Sequence, residues 1–393
     1  MKQVNSVESM SSLSQSWFKS MRFSQISTFN KVDKFFFHCI FAPRLRKDLT
    51  KKVFSYRLVY TYLTLIVIII SAIKHNLAIF MYQHEDFLFY IGDISSICGE
   101  GQKIYLFTCA LGIIVVCLSV GLYLAAYKKQ FLKHFQPILS LEALSSKRDV
   151  EFKITKKLSF LLQIVVYYSS LLSCISVLVY ALGHYIYFKN PFKYLLNLST
   201  SLLVDTVALR VGVHIFVTSP LIFACCCYYY KLHFEYIAKE VRCINTDLKE
   251  GAIVKQHNNL LLKELIDHYF ELINEIKNGN KFWCYQMGMV IFGATIMNLL
   301  PIYSLCFMNL DYGVYMSFLS FTAIIFIHAL IVPCITACNL YYQVGTFRSL
   351  FCFYILHMQF TILLCFAILF SGKTALPNSL FNNATHTFSS IQT

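Results

Sequence analysis

Charge is scarce in this chain: only 14% of its 393 residues are Asp, Glu, Lys or Arg, while 57% are hydrophobic. An ordinary soluble domain carries charge on about a quarter of its residues, so the composition excludes that class and places the chain in a bilayer. Also lacking are a Gly-rich phosphate-binding loop, an internal repeat and a low-complexity linker. No carboxylate pair, no nucleophile with a base and no Cys/His grouping at metal-ligand spacing falls within the apolar stretches. Neither an enzyme nor a cofactor, a metal or a nucleic-acid partner is therefore expected. No small-residue cleavage pattern occurs near residue 20, so no cleavable signal peptide is expected and insertion begins at the first membrane helix.

What is present is a set of long apolar blocks, seven in number, at residues 54–73, 104–127, 158–182, 207–230, 282–307, 314–338 and 350–371. At about 1.5 Å per residue, roughly 20 residues cross a hydrocarbon core of about 30 Å. The expected fold is an all-α membrane protein with seven transmembrane helices. Most of the 15 cysteines lie inside these blocks and read as small buried hydrophobes. The run Cys225-Cys226-Cys227 is a palmitoylation candidate if it reaches the cytoplasmic interface.

The excess positive charge, +14 overall, sets the orientation. Bases crowd the segment before the first block (Arg44, Arg46, Lys47, Lys51, Lys52) and the connection after the second (Lys128, Lys129, Lys133, Lys147, Arg148). The connection after the first block instead holds Glu85, Asp86, Asp93 and Glu100. The N-terminus is thus expected in the cytoplasm, and seven crossings put the C-terminus outside. Two Asn-x-Ser/Thr sequons, at Asn197 and Asn383, fall on the outer side of that topology and are the glycosylation candidates.

The expected organisation is a cytoplasmic segment over 1–53, helices one to four over 54–230, a cytoplasmic helical connection over 231–281, helices five to seven over 282–371, and an extracellular tail over 372–393. Within the connection, Leu261, Leu265, Tyr269, Leu272 and Ile276 recur at helical spacing with Lys263, Glu264, Asp267 and Glu275 between them. An amphipathic helix there must bury its stripe, either within the subunit or as a platform joining subunits.

Polar residues inside the blocks are the functional candidates. In the last block Gln359 precedes Phe360. A glutamine amide at that depth has no lipid partner and must face protein or water, and the aromatic neighbour offers an apolar constriction that can close by dewetting. Arg210 and His214 lie one turn apart in the fourth block, with Asp205 just before them. Either these line an outward-facing pocket or Asp205 pairs with Arg210, which could also snorkel. Tyr180 and His184, Asn298 and Tyr303, and Tyr315 fall at similar depths in the third, fifth and sixth blocks and are further pocket candidates. His328 and His357 read as hydrogen-bonded packing, and Pro220, Pro301 and Pro333 as helix-bending positions.

Seven crossings, an inside N-terminus, a long helical connection between the fourth and fifth helices and a last helix carrying Gln359-Phe360 together resemble the insect gustatory receptor family. The family's last helix carries Thr-Tyr, five apolar residues and Gln-Phe; here Cys352-Phe353 replace the first pair and His357 interrupts the apolar five. The segment from Leu265 to Phe282 also looks like the family's approach to its fifth helix. The resemblance implies a tetrameric, homomeric or heteromeric, ligand-gated non-selective cation channel at the plasma membrane, with Gln359 and Phe360 at the pore. It further implies a tastant pocket among the outer halves of helices two to six. Sugar-sensing members carry an acidic residue after the motif Tyr, where this chain has Tyr354, so a small non-sugar, bitter-type tastant is expected. The alternative is a metabotropic G-protein-coupled chemoreceptor, against which stand the orientation and the lack of Asp-Arg-Tyr and Asn-Pro-x-x-Tyr motifs.

Overall fold

The computed structural model describes residues 56–93, 95–128, 137, 149–188, 192, 195, 201, 203–249, 255–308 and 312–344. All belong to one unit, Met1–Phe347. The seventh block with Gln359 and Phe360, both sequon asparagines, residues 1–53 and residues 372–393 lie outside the described residues.

Every regular element among the described residues is helical. In chain order these are α1 (Tyr56–Phe80), α2 (Glu85–Tyr90), a 3₁₀ turn (Ser95–Gly101), α3 (Gln102–Lys128) and α4 (Asp149–Phe188). Then come α5 (Leu203–Val213), α6 (Ser219–Lys249), α7 (Lys255–Phe307), α8 (Tyr312–Ile325) and α9 (Val332–Val344). The π-helical turns His214–Thr218 and Phe326–Ile331 join α5 to α6 and α8 to α9, so six continuous helical runs are long and apolar enough to cross a membrane. The chain is a multi-pass helical membrane protein.

Which face of each helix turns inward follows from its polar and small residues, because lipid tails are as apolar as Leu or Ile and do not drive helices together. On α1, Ile66, Ile69, Ile70, Ile73 and Leu77 are exposed, whereas Ser71, His75 and Ala78 are buried with Ile68. The run through α5 and α6 is the centre of the bundle, with 67% of its apolar window buried against 11% for α4 at the periphery. Cys225, Cys226 and Cys227 are all buried in this central helix, the first two within the main core, rather than presented at an interface for acylation.

Helices α3 and α7 run antiparallel in close contact. A Cβ added at Gly293 would lie 2.7 Å from Val115 Cγ2, one at Gly112 2.7 Å from Met297 Cε, and the Tyr123 and Phe282 rings are 5.2 Å apart. Tyr123 also shares a 2.9 Å hydrogen bond with Ser219 Oγ, tying α3 to the start of α6.

The two π turns have a cause in the sequence. Pro220 and Pro333 come two residues after the last residue of each turn, and a proline ring clashes with the carbonyl four residues earlier, which lies within the turn, while offering no N–H to bond it. Widening the preceding turn relieves that clash: Ser219 N–H bonds His214 O and Val332 N–H bonds Ile327 O, each five residues back. The two widened turns also pack on one another.

The connection between the fourth and fifth crossings is no separate domain among the described residues, since α7 continues unbroken from Lys255 to Phe307 for 53 residues. Its stripe divides. Leu265 and Leu272 are buried in the main core, with Tyr269 edge-on to Phe234 of α6 at 5.5 Å, while Ile266 and Phe270 stay exposed at 45% and 64%. Within the subunit, then, α6 covers one side of the stripe and leaves the other open.

Candidate ligand cavity

At the end of the bundle where α1 runs into α2, a buried ion pair sits inside a hydrogen-bonded cluster. Lys74 of α1 pairs with Asp205 of α5, their side chains only 10% and 7% exposed. Two carboxylate oxygens divide the partners unevenly. Oδ2 receives Lys74 Nζ and the Tyr180 hydroxyl at 2.6 Å, and Ser201 Oγ lies 3.1 Å away. Oδ1 receives only the Ser71 hydroxyl, at 3.2 Å. Lys74 Nζ also donates to Ser201 Oγ and, at 3.4 Å, to the carbonyl of Gly92.

The Gly92 carbonyl is presented by backbone geometry that favours glycine, with φ at 67°, and it lies 2.8 Å from Ser201 Oγ. Just beyond, Asp93 Oδ1 accepts the Ser95 N–H at 2.6 Å and turns the chain into the 3₁₀ segment. Burial, and then the Asp93 carboxylate, push the Cys98 thiol on that segment up to about 12, so it stays protonated at neutral pH. Four stretches of chain, from α1, the Gly92 turn, α4 and the start of α5, are thereby pinned to one ammonium and one carboxylate.

Below the cluster opens a cavity of about 220 Å³. Ser71, His75, Tyr180 and Asp205 lie at its polar end, Tyr105, Thr108, Cys109 and Ser176 add further polar lining, and Ile113, Val116, Leu172, Phe216, Val217, Met297 and Ile325 are among its apolar walls. Asp205 and Val217 both line it and stand 12 residues apart on one helical run, which makes the cavity roughly 18 Å long. Its apolar part reaches the first π turn through Phe216 and Val217, and the second through Ile324 and Ile325 at its threshold. Lys74 is not on the wall; it neutralises Asp205 from behind. His75 Nδ1 lies 2.8 Å from the Ser71 carbonyl, which can only accept, so Nδ1 carries the proton and Nε2 of the neutral ring is an acceptor.

No family model, no curated protein and no solved structure matches the chain.

Of the residues the sequence singled out, Tyr180 lines the cavity. His184 lies one turn further along α4, buried, its ring edge-on to Tyr180 at 4.7 Å. His214 is buried in the first π turn, two residues before the lining Phe216, and Arg210 follows the lining Leu209; neither reaches the wall. Asn298 is buried beside the lining Met297, and neither amide atom has a hydrogen-bond partner among the described residues. Tyr303 packs on Phe307 at 5.1 Å and Tyr315 is 38% exposed, both away from the wall. Asp205 turns to Lys74 and not to Arg210, which corrects the pairing read from proximity in sequence. His328 does make packing bonds, 2.8 Å to Ile324 O and 3.0 Å to the Tyr168 hydroxyl.

Sequence reasoning missed Ser71, Lys74, His75 and Ser201. The signal was available in Lys74: a lone ammonium 20 residues into an apolar run that ends only at Phe80 requires a buried partner.

Proposed function

We propose that the protein is a small-molecule chemoreceptor of the insect gustatory type, a ligand-gated non-selective cation channel of the plasma membrane responding to a non-sugar, bitter-type tastant. The observation that carries this reading is the cavity of about 220 Å³, lined by residues of six membrane helices and polar at one end. Cavities of mainly apolar lining with a few convergent polar groups are what small-molecule sites look like. By the distribution of Lys and Arg, its polar end faces the extracellular side.

Gating follows from the same geometry. A compound shifts an equilibrium only by binding one arrangement better than the other. The cavity touches all six helical runs, so a compound that fits a splayed bundle better than a closed one favours the splayed form. Gln359 and Phe360 then line the pore in a tetramer of identical or related subunits, with sodium and potassium as the passing ions.

Two measurements test the reading. Epitope tags on unpermeabilised cells should show a hidden N-terminus and an exposed C-terminus; the reverse pattern would send the assignment to a G-protein-coupled receptor. Where currents are obtained, Gln359→Ala should change conductance or cation preference at unchanged surface expression, and unaltered currents would remove Gln359 from the pore.

A further inference from the structure

We infer that water is bound in the membrane interior between α3 and α7, held by the Ser119 hydroxyl and the Gln286 side-chain amide. The site lies on the α3–α7 seam and does not rest on reading the cavity as the ligand site.

Contacts along the seam fix where the two groups lie. Val115 faces Gly293 at one end, and the Tyr123 ring meets the Phe282 ring at the other. Ser119 sits about one turn from both Val115 and Tyr123, and Phe282, Gln286 and Gly293 project within about 40° of one another around α7. Ser119 and Gln286 therefore enter the same stretch of the seam from opposite helices. Both are fully buried, at 0% exposure. Yet the Ser119 hydroxyl and both polar atoms of the Gln286 amide have no hydrogen-bond partner among the described residues.

A buried amide that bonds nothing is costly, most of all where lipid surrounds the protein. The two side chains offer three hydrogen-bonding atoms, which matches the roughly three bonds that a buried water makes. Room comes from the way the helices diverge. At Gly293 an added Cβ would lie 2.7 Å from Val115, whereas at Phe282 two rings with centroids 5.2 Å apart stand between the helices. Ser119, smaller than Val115 or Tyr123 on either side of it, opens into that widening gap. An ion fits poorly, because residues 115–123 and 282–293 include no Asp, Glu, Lys, Arg or His to match its charge. The site borders the first π turn through the bond shared by Tyr123 and Ser219. A water there re-aims its bonds as α3 and α7 shift, so the amide stays satisfied in more than one arrangement of the seam.

The test is X-ray hydroxyl-radical footprinting of the full-length protein in detergent, in which bound water generates radicals that label the side chains beside it. Tyr123 is 4% and Phe282 6% exposed, so labelling from bulk solvent is slight. Both should be labelled at least about fivefold more in wild type than in Ser119→Ala/Gln286→Leu. Misfolding of that variant would raise labelling, so it cannot mimic the expected fall. Melting temperature supplies the second reading. Ser119→Ala should lower it by a few degrees in the wild type, yet leave it within about 1 °C in the Gln286→Leu background. Equal labelling of the two proteins would overturn the bound water even if the substitutions were coupled, since coupling alone means a direct bond between hydroxyl and amide. Additive shifts in melting temperature would overturn the shared site.

Discussion

Replacing Lys74 with Met should destabilise the protein by about 3–5 kcal/mol, and replacing Asp205 with Leu at the same time should recover most of that loss. The reason is the asymmetry of buried ion pairs. Each partner has been taken out of water at a cost of several kcal/mol, and their attraction repays it only while both are present. Without Lys74, the Asp205 carboxylate keeps the Ser71 and Tyr180 hydroxyls but loses its counter-charge, in surroundings that leave it 7% exposed. The single variant should appear chiefly as lost folded material in size-exclusion profiles, the double as material melting within about 2 kcal/mol of wild type. A single variant as stable as wild type would show that the pair is not formed in the membrane.

The seam between α3 and α7 sets up the second large effect. Gly293→Ala should cost about 1–3 kcal/mol, whereas Gly112→Ala should be close to neutral, although both glycines face side chains at 2.7 Å. The difference lies in what would have to move. At Gly112 the obstacle is the terminal methyl and sulfur of Met297, at 2.7 and 3.1 Å, and an unbranched thioether swings aside. At Gly293 the new Cβ would meet both γ-methyls of Val115 and its Cβ at 3.2 Å. The two γ-methyls, at 2.7 and 2.9 Å, sit on a side chain that is stiff at χ1 and cannot swing both aside, so α3 and α7 would have to separate. Val115→Ala in the Gly293→Ala background should restore the melting temperature to within a few degrees; failure to do so would place the damage elsewhere.

The first six apolar blocks were legible because lipid demands long runs of one kind of residue, and each falls on a helical run of the structure. Their ends were not. The first block seemed to stop at residue 73 because Lys74, His75 and Asn76 follow, yet α1 continues to Phe80. Those three polar heads are satisfied internally: His75 bonds the Ser71 carbonyl at 2.8 Å, Asn76 the Ala72 carbonyl at 2.7 Å, and Lys74 reaches Asp205. The candidate site was legible only in Tyr180 and in the presence of a charge at Asp205. Its partner comes from 131 residues away, a distance in sequence over which periodicity and spacing carry no information. Two of the three prolines expected to bend their helices, Pro220 and Pro333, come just after π turns, for the steric reason that makes proline a breaker, whereas Pro301 lies inside α7, which continues unbroken to Phe307.

The length of α7 carries a mechanical consequence. Met297, on the cavity wall, and Lys263, near the other end, are joined by 34 residues of unbroken helix, about 51 Å. A stiff rod of that length is a lever: a tilt of about 5° about Met297 displaces Lys263 by roughly 4–5 Å. Rearrangements of the cavity too small to break a single hydrogen bond around Asp205 thus arrive at the far end of α7 as movements nearly as wide as one helical turn.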